Sequence, residues 1–209
     1  SFVLLNEKNH GGKRSLSQFK QNPDGTGMYG EDLGHGHMFV DQRPGMTGSF
    51  WETQRPIPGR ESYAETLRAE HGESASDLLE LVPGSMINLS IFPNLLFKGN
   101  HVEIVEPVSV GETRLNTYVV AAEGVPEEVN VLRMRIAEDF PSLGNPDDLE
   151  IFERCQEGLS IPEIEWIDMS KGLGTPADQP DARGVRRVPV THESPMRGYL
   201  REWKRLVAS

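Results

Sequence analysis

The chain is 209 residues long with a formal net charge of -11, enough sequence to bury a sizeable core as one domain, and too acidic to favour nucleic acid or an anionic membrane as partner, since a phosphate-binding surface needs clustered Lys and Arg. The basic cluster from Arg183 to Arg187 is too short to change that, no run of eighteen apolar residues could span a bilayer, and residues 1 to 20 lack the apolar core of a signal peptide. One cysteine, Cys155, excludes an internal disulfide and a Cys-based cluster or zinc site within this segment, and fits a reducing cytoplasm.

Residues 6 to 60 are rich in Gly, Pro, Asn and Asp, with one short strand-like run, His37 to Val40. So long a stretch without regular structure is expected only where it wraps a functional site or has lost its neighbours, and the second reading is preferred here. Helical patterning follows at Ser62 to Glu70 and at Ser76 to Leu81, closed by His71-Gly72 and Pro83-Gly84. Three segments rich in β-branched and apolar residues come next: Ser85 to Phe92, His101 to Val108 and Thr113 to Ala121. Turn residues separate them, which predicts an antiparallel meander. Pro126, Glu127 and Glu128 open a helix with Val129, Leu132, Ile136 and Phe140 at helical spacing. A second helix is predicted from Pro146 and a third from Pro195 to about Val207, with Ser170 to Thr191 as a Gly, Pro and Asp loop between them. Strands in sequence followed by helices predict an α+β domain with helices packed on one face of an antiparallel sheet.

The segment from Asn145 to Gly158 has Asn placed to cap a helix, Pro at its first position and acids in its first turn. At about 100° per residue, Phe152, Cys155 and Leu159 share a stripe, with Glu150, Glu153, Arg154 and Glu157 opposite. Asp148 falls within the apolar stripe and Asp147 on the charged side. An ionised carboxylate facing an apolar interior requires a partner, so Asp148 either caps its own helix, meets an arginine or holds a metal.

Taken in order, Asn88-Leu-Ser-Ile-Phe-Pro-Asn94, His101-Val-Glu-Ile-Val-Glu-Pro107, Pro146-Asp-Asp-Leu-Glu-Ile-Phe-Glu-Arg-Cys-Gln156, Glu165-Trp-Ile-Asp-Met-Ser170 and Arg197-Gly-Tyr-Leu-Arg-Glu-Trp203 resemble the large (alpha) subunit of the Rieske-type ring-hydroxylating oxygenases, over the C-terminal catalytic domain. Leu33-Gly-His-Gly-His37 is similar to that family's Leu-Gly-Asn-Gly-His turn. The resemblance implies a helix-grip sheet, like that of START and birch-pollen-allergen domains, and a mononuclear Fe(II) held by two His and one Asp, with open positions for dioxygen. The acid of that triad matches Asp148. The family's two His precede a Ser-aromatic pair that Ser1-Phe2 resembles, so residues 1 to 209 are expected to be an N-terminally truncated catalytic domain. Both His, and a Rieske domain with its [2Fe-2S] cluster, would then lie upstream. The implied activity is insertion of oxygen from O2 into an aromatic ring, with electrons from NAD(P)H through a reductase or ferredoxin. A trimer is implied, with or without a small beta subunit, while this segment alone is expected to be inactive. The competing expectation is a helix-grip module that binds a small molecule without redox chemistry.

Asn88 is a polar residue in an otherwise apolar strand, and the resemblance assigns it to the substrate pocket; an Asn satisfied across the strand is the alternative. Met86, two residues earlier on the same face, would be a pocket wall. Phe97 and Phe140 are either walls or plain core. Lys98 is near enough to the pocket strand for its ammonium to meet a substrate carboxylate, in keeping with motifs that look closest to the benzoate and anthranilate branch. His35 and His37 form a His-x-His pair with no acid or Cys at ligand spacing, which argues against a metal there. His10, His71, His101 and His192 are expected at the surface or in turns, and Trp166 and Trp203 in packing or subunit contacts.

Overall fold

The computed structural model describes residues 27–45, 58–82, 87–143, 145–163 and 165–208. Its strands are β1 (Tyr29–Gly34), β2 (His37–Asp41), β3 (Ile87–Ile91), β4 (Leu95–Phe97), β5 (His101–Ser109), β6 (Glu112–Val119) and β7 (Arg186–Pro189). The α-helices are α1 (Arg60–His71), α2 (Ala75–Leu81), α3 (Glu127–Leu143), α4 (Asn145–Leu159) and α5 (Ser194–Val207). The seven strands form one sheet in the order β6-β5-β4-β3-β2-β1-β7, and every neighbouring pair is antiparallel. The three expected strands are present and antiparallel as β3, β5 and β6, but β4 is inserted between β3 and β5; the strand-like run His37 to Val40 becomes β2, and β1 and β7, which composition did not reveal, extend the sheet beyond it.

Local chemistry explains the turns. β1 and β2 are joined through Gly34, His35 and Gly36, all with positive φ (82°, 51° and 78°), a conformation glycine adopts without steric cost. Gly36 is required twice over, because a Cβ there would lie 2.6 Å from the Phe92 ring. His37 Nδ1 accepts a hydrogen bond from the Phe92 backbone N–H at 3.0 Å. The Tyr199 hydroxyl donates to the Pro93 carbonyl at 3.0 Å, with its ring edge-on to Phe92 at 4.9 Å. These contacts join the hairpin, the β3–β4 corner and α5.

The register sorts the sheet's two faces. One row runs Val188, Gly30, Val40, Asn88, and the next runs Arg186, Asp32, Met38, Ser90, Leu96, Glu103, Thr117. Being two residues apart, these rows share a face. The interposed row of Arg187, Glu31, Phe39, Leu89, Phe97, Val102 and Tyr118 belongs to the other.

α5 lies on the first face. Pro195 packs so near Gly30 that a Cβ there would meet its Cγ at 3.3 Å, and one turn later Gly198 rests on Asp32. Asp32 is 1% exposed; its Oδ1 accepts from the Gly34 N–H at 3.0 Å, and its Oδ2 pairs with Arg201 at 2.6 Å and Arg186 at 3.3 Å. A buried carboxylate so provided for can tie the helix to β1 and β7.

A second packing centre lies among α1, α2 and α3, where Ala64, Leu67, Ala75, Leu79 and Val129 are buried against Tyr63, Leu78, Val82 and Val125. From α3, Arg133 enters this region and donates to the carbonyls of Val82 (2.6 Å), Gly99 (3.1 Å) and Val120 (3.1 Å). One planar guanidinium thereby satisfies backbone groups of three segments.

The segment expected as a loop from Ser170 to Thr191 contains β7. The loop before that strand is bound to α5 through Arg197, which donates to the Met169 and Lys171 carbonyls and pairs with Asp178 at 3.1 Å. The predicted stripe on α4 differs more sharply from expectation. Phe152 is 57% and Leu159 62% exposed, and Cys155 is exposed too, so the stripe faces outward from the described residues rather than into a core. Trp166 (85%) and Trp203 (54%) are likewise exposed, so neither packs into the interior of this chain.

A cavity at the sheet face and a carboxylate on α4

A cavity of about 260 Å³ lies between the first sheet face and the start of α5. Gly30, Met38, Val40, Asn88, Ser90 and Leu96 line it from the sheet, while Val190 and His192 border it from the turn after β7 and Pro195 and Met196 from α5. Its lining is mainly aliphatic, with Asn88, Ser90, Lys98 and His192 as the polar side chains on its border. An apolar hollow with a few convergent polar groups suits a small, flat, mostly apolar ligand.

Of the residues predicted to meet substrate, Asn88 is in the cavity wall and half-buried. Phe97 borders the cavity as well, but alternation assigns its ring to the opposite face, in the row with Leu89 and Val102. Met86 lies outside the described residues. So does the side chain of Phe140, although its position within α3 is described. His10 and the Ser1-Phe2 pair are also outside them.

Asp147 and Asp148 occupy the first turn of α4, Asp148 half-buried and Asp147 exposed. Among the described residues no three His, Cys, Asp or Glu gather closely enough to hold a metal. The described residues therefore do not by themselves form a three-donor metal site. His35 is exposed on its turn, and His37 is engaged with Phe92.

His101 requires a correction. Expected at the surface or in a turn, it is 5% exposed and lies inside the sheet face beside Glu103, itself 2% exposed. The sequence His101-Val-Glu-Ile-Val reads as a strand with polar residues outward, whereas here the polar residues point inward because they have one another as partners. Asn100 donates through Nδ2 to the Arg133 carbonyl at 3.3 Å, which leaves its Oδ1 to face His101 Nδ1 at 2.9 Å. His101 Nε2 lies 3.4 Å from one Glu103 oxygen, and Lys98 Nζ lies 2.7 Å from the other. Burial acts to raise the Glu103 pKa, but the proximity of His101 and the hydrogen bond and charge of Lys98 outweigh it and hold the carboxyl below its ordinary range. His192 is in the turn after β7, as expected, its backbone N–H donating to the Pro189 carbonyl at 2.8 Å, and it also borders the cavity, with Nδ1 buried against Gly172.

Residues 6–209 match the family model described as the ring hydroxylating alpha subunit (catalytic domain). The chain belongs to that family. Among its relatives, the 2-halobenzoate 1,2-dioxygenase large subunit of Burkholderia cepacia is 34% identical over 161 residues, covering 73% of this chain and 32% of the relative. The toluate 1,2-dioxygenase subunit alpha of Pseudomonas putida is 30% identical over 184 residues, covering 84% and 36%. The chain thus spans about a third of the length of the curated relatives it matches. Within the ring-hydroxylating alpha-subunit family, the observed antiparallel sheet with packed helices is the catalytic portion. No helix among the described residues is long and apolar enough to cross a membrane.

Proposed function

We propose that this chain is the catalytic-domain portion of an aromatic-ring-hydroxylating dioxygenase and that its substrate is a monocyclic aromatic acid. The family match across residues 6–209 carries the reaction class, and it weighs against a binding module without redox chemistry. Two relatives named for halobenzoate and toluate, together with a lysine on the border of an otherwise largely apolar cavity, support the acid. The packing of α5 on one face of the antiparallel sheet, against β1 and β2, supports the helix-grip form.

In this reading the aliphatic wall of Met38, Val40 and Leu96 takes the ring. Asn88 and Ser90 orient the ring edge by hydrogen bonding. Lys98, paired with Glu103 at 2.7 Å, receives the carboxylate by charge. Asp148 would contribute one oxygen ligand to a mononuclear iron, whose other ligands are two His outside residues 1–209, alongside a Rieske domain. When bound, that iron supplies dioxygen activation. Electrons would come from NAD(P)H through a reductase or ferredoxin, and the working unit would be a trimer with or without a beta subunit.

Product profiling of the complete enzyme against benzoates, salicylates and naphthalene tests the proposal. Hydroxylated products from the monocyclic acids are expected. Exclusive turnover of polycyclic hydrocarbons would overturn the substrate class.

A further inference from the structure

Glu103 is an ionised carboxylate placed at 2% exposure on the sheet face that also forms the cavity wall. A buried ion pair is poor value as a stabilising device, because desolvation offsets most of its Coulomb attraction and an apolar pair of similar volume does as well. Its partner is Lys98, on the cavity border with its side chain 28% exposed. Glu103 is itself held in place: one oxygen faces His101 at 3.4 Å, His101 faces Asn100 at 2.9 Å, and Asn100 donates to the Arg133 carbonyl in α3. A continuous set of buried polar neighbours thus runs from α3 to the one cation that borders the cavity among the described residues.

We propose that Glu103 is a specificity-determining positioning residue, which aims the Lys98 ammonium at the cavity so that an aromatic carboxylate is selected over a neutral ring of the same shape. This rests on the aromatic-acid reading above. Two effects of Glu103 oppose each other. Its negative charge screens Lys98 from an incoming carboxylate, but without it a flexible four-carbon stem turns its ammonium out to bulk water. Aiming dominates, because screening weakens the attraction while loss of aim removes the cation from the site altogether.

The probe pair is benzoate and nitrobenzene, which have the same shape and differ in charge. In the assembled holoenzyme, the wild-type ratio of kcat/KM for benzoate over nitrobenzene should be large. Lys98→Met should lower it by a factor of about one hundred, and Glu103→Gln by about ten, in both cases through KM for benzoate. Glu103→Asp, which keeps the charge, should recover part of the loss. Should Glu103→Gln fail to fold, Lys98→Met/Glu103→Gln leaves no unpaired charge; its ratio should equal that of Lys98→Met alone, because Glu103 acts only through Lys98. No wild-type preference for benzoate would overturn the aromatic-acid reading itself. A preference lost in Lys98→Met but kept or increased in Glu103→Gln, or additive losses in the double variant, would overturn the role of Glu103 alone.

Discussion

Gly198 lies against Asp32 so closely that a Cβ on the glycine would sit 2.5 Å from the carboxylate Oδ1. Asp32 has no room to yield, since Gly34, Arg186 and Arg201 all hold it. Replacing a mid-helix glycine with alanine ordinarily gains about 1 kcal/mol. Here overpacking, on the order of 1–3 kcal/mol, and disturbance of a buried charge act the other way. Gly198→Ala is therefore expected to destabilise the protein by about 2 kcal/mol, read as a lower urea midpoint at unchanged m-value. A raised midpoint would mean that α5 does not pack as described.

Acid should weaken the protein through Asp41 and Glu103. Burial raises the Asp41 pKa, but hydrogen bonds from Arg43 and Tyr29 outweigh it, so that both carboxyls titrate below their ordinary values. A depressed folded-state pKa contributes stability that is fully present above the ordinary carboxylate range and is lost as pH falls through the folded value. Melting temperature should hold steady on the neutral side of that range and drop on its acid side. Glu103→Gln should flatten part of the drop, and a profile identical to wild type would count against an ionised buried Glu103.

Residues 1–209 alone should retain no tight iron. Asp148 offers one carboxylate, and the described residues contain no three-donor cluster, whereas a facial triad needs three protein ligands. Anaerobic loading with Fe(II), followed by desalting and metal analysis, should leave far less than one iron per chain. Near-stoichiometric retention would show that a complete ligand set exists within this chain.

Sequence revealed the fold where composition and periodicity agree. β3, β5 and β6 are rich in β-branched residues, and α1, α2, α3 and α5 have clear starts and stops, so each appears within a few residues of its expected place. β1 was hidden because its inward positions, Gly30 and Asp32, are a glycine needed for contact with Pro195 and a carboxylate needed for two arginines. β7 was hidden because Arg186 and Arg187 sit inside a Gly, Pro and Asp segment, and its pairing partner is more than 150 positions away in sequence. At the cavity, Asn88 was legible as a polar interruption in an apolar strand. His101 and Glu103 were not, since alternation alone sends polar residues outward. The missing signal is cross-strand: both belong to the face of Lys98, and three such groups brought together can satisfy one another in the interior.

Asp148 is half-buried in the first turn of α4, while its neighbour Asp147 is exposed. Asp147→Ala should remove only a solvent-screened interaction with the helix dipole, on the order of 0.3 to 1 kcal/mol. Asp148→Ala should remove the proposed iron ligand. The most direct test is iron content and turnover of the two variants in the complete enzyme, with folding checked by circular dichroism. The account predicts that Asp148→Ala loses iron and all turnover while Asp147→Ala keeps both; equal loss from the two variants, or loss from Asp147→Ala alone, would contradict it.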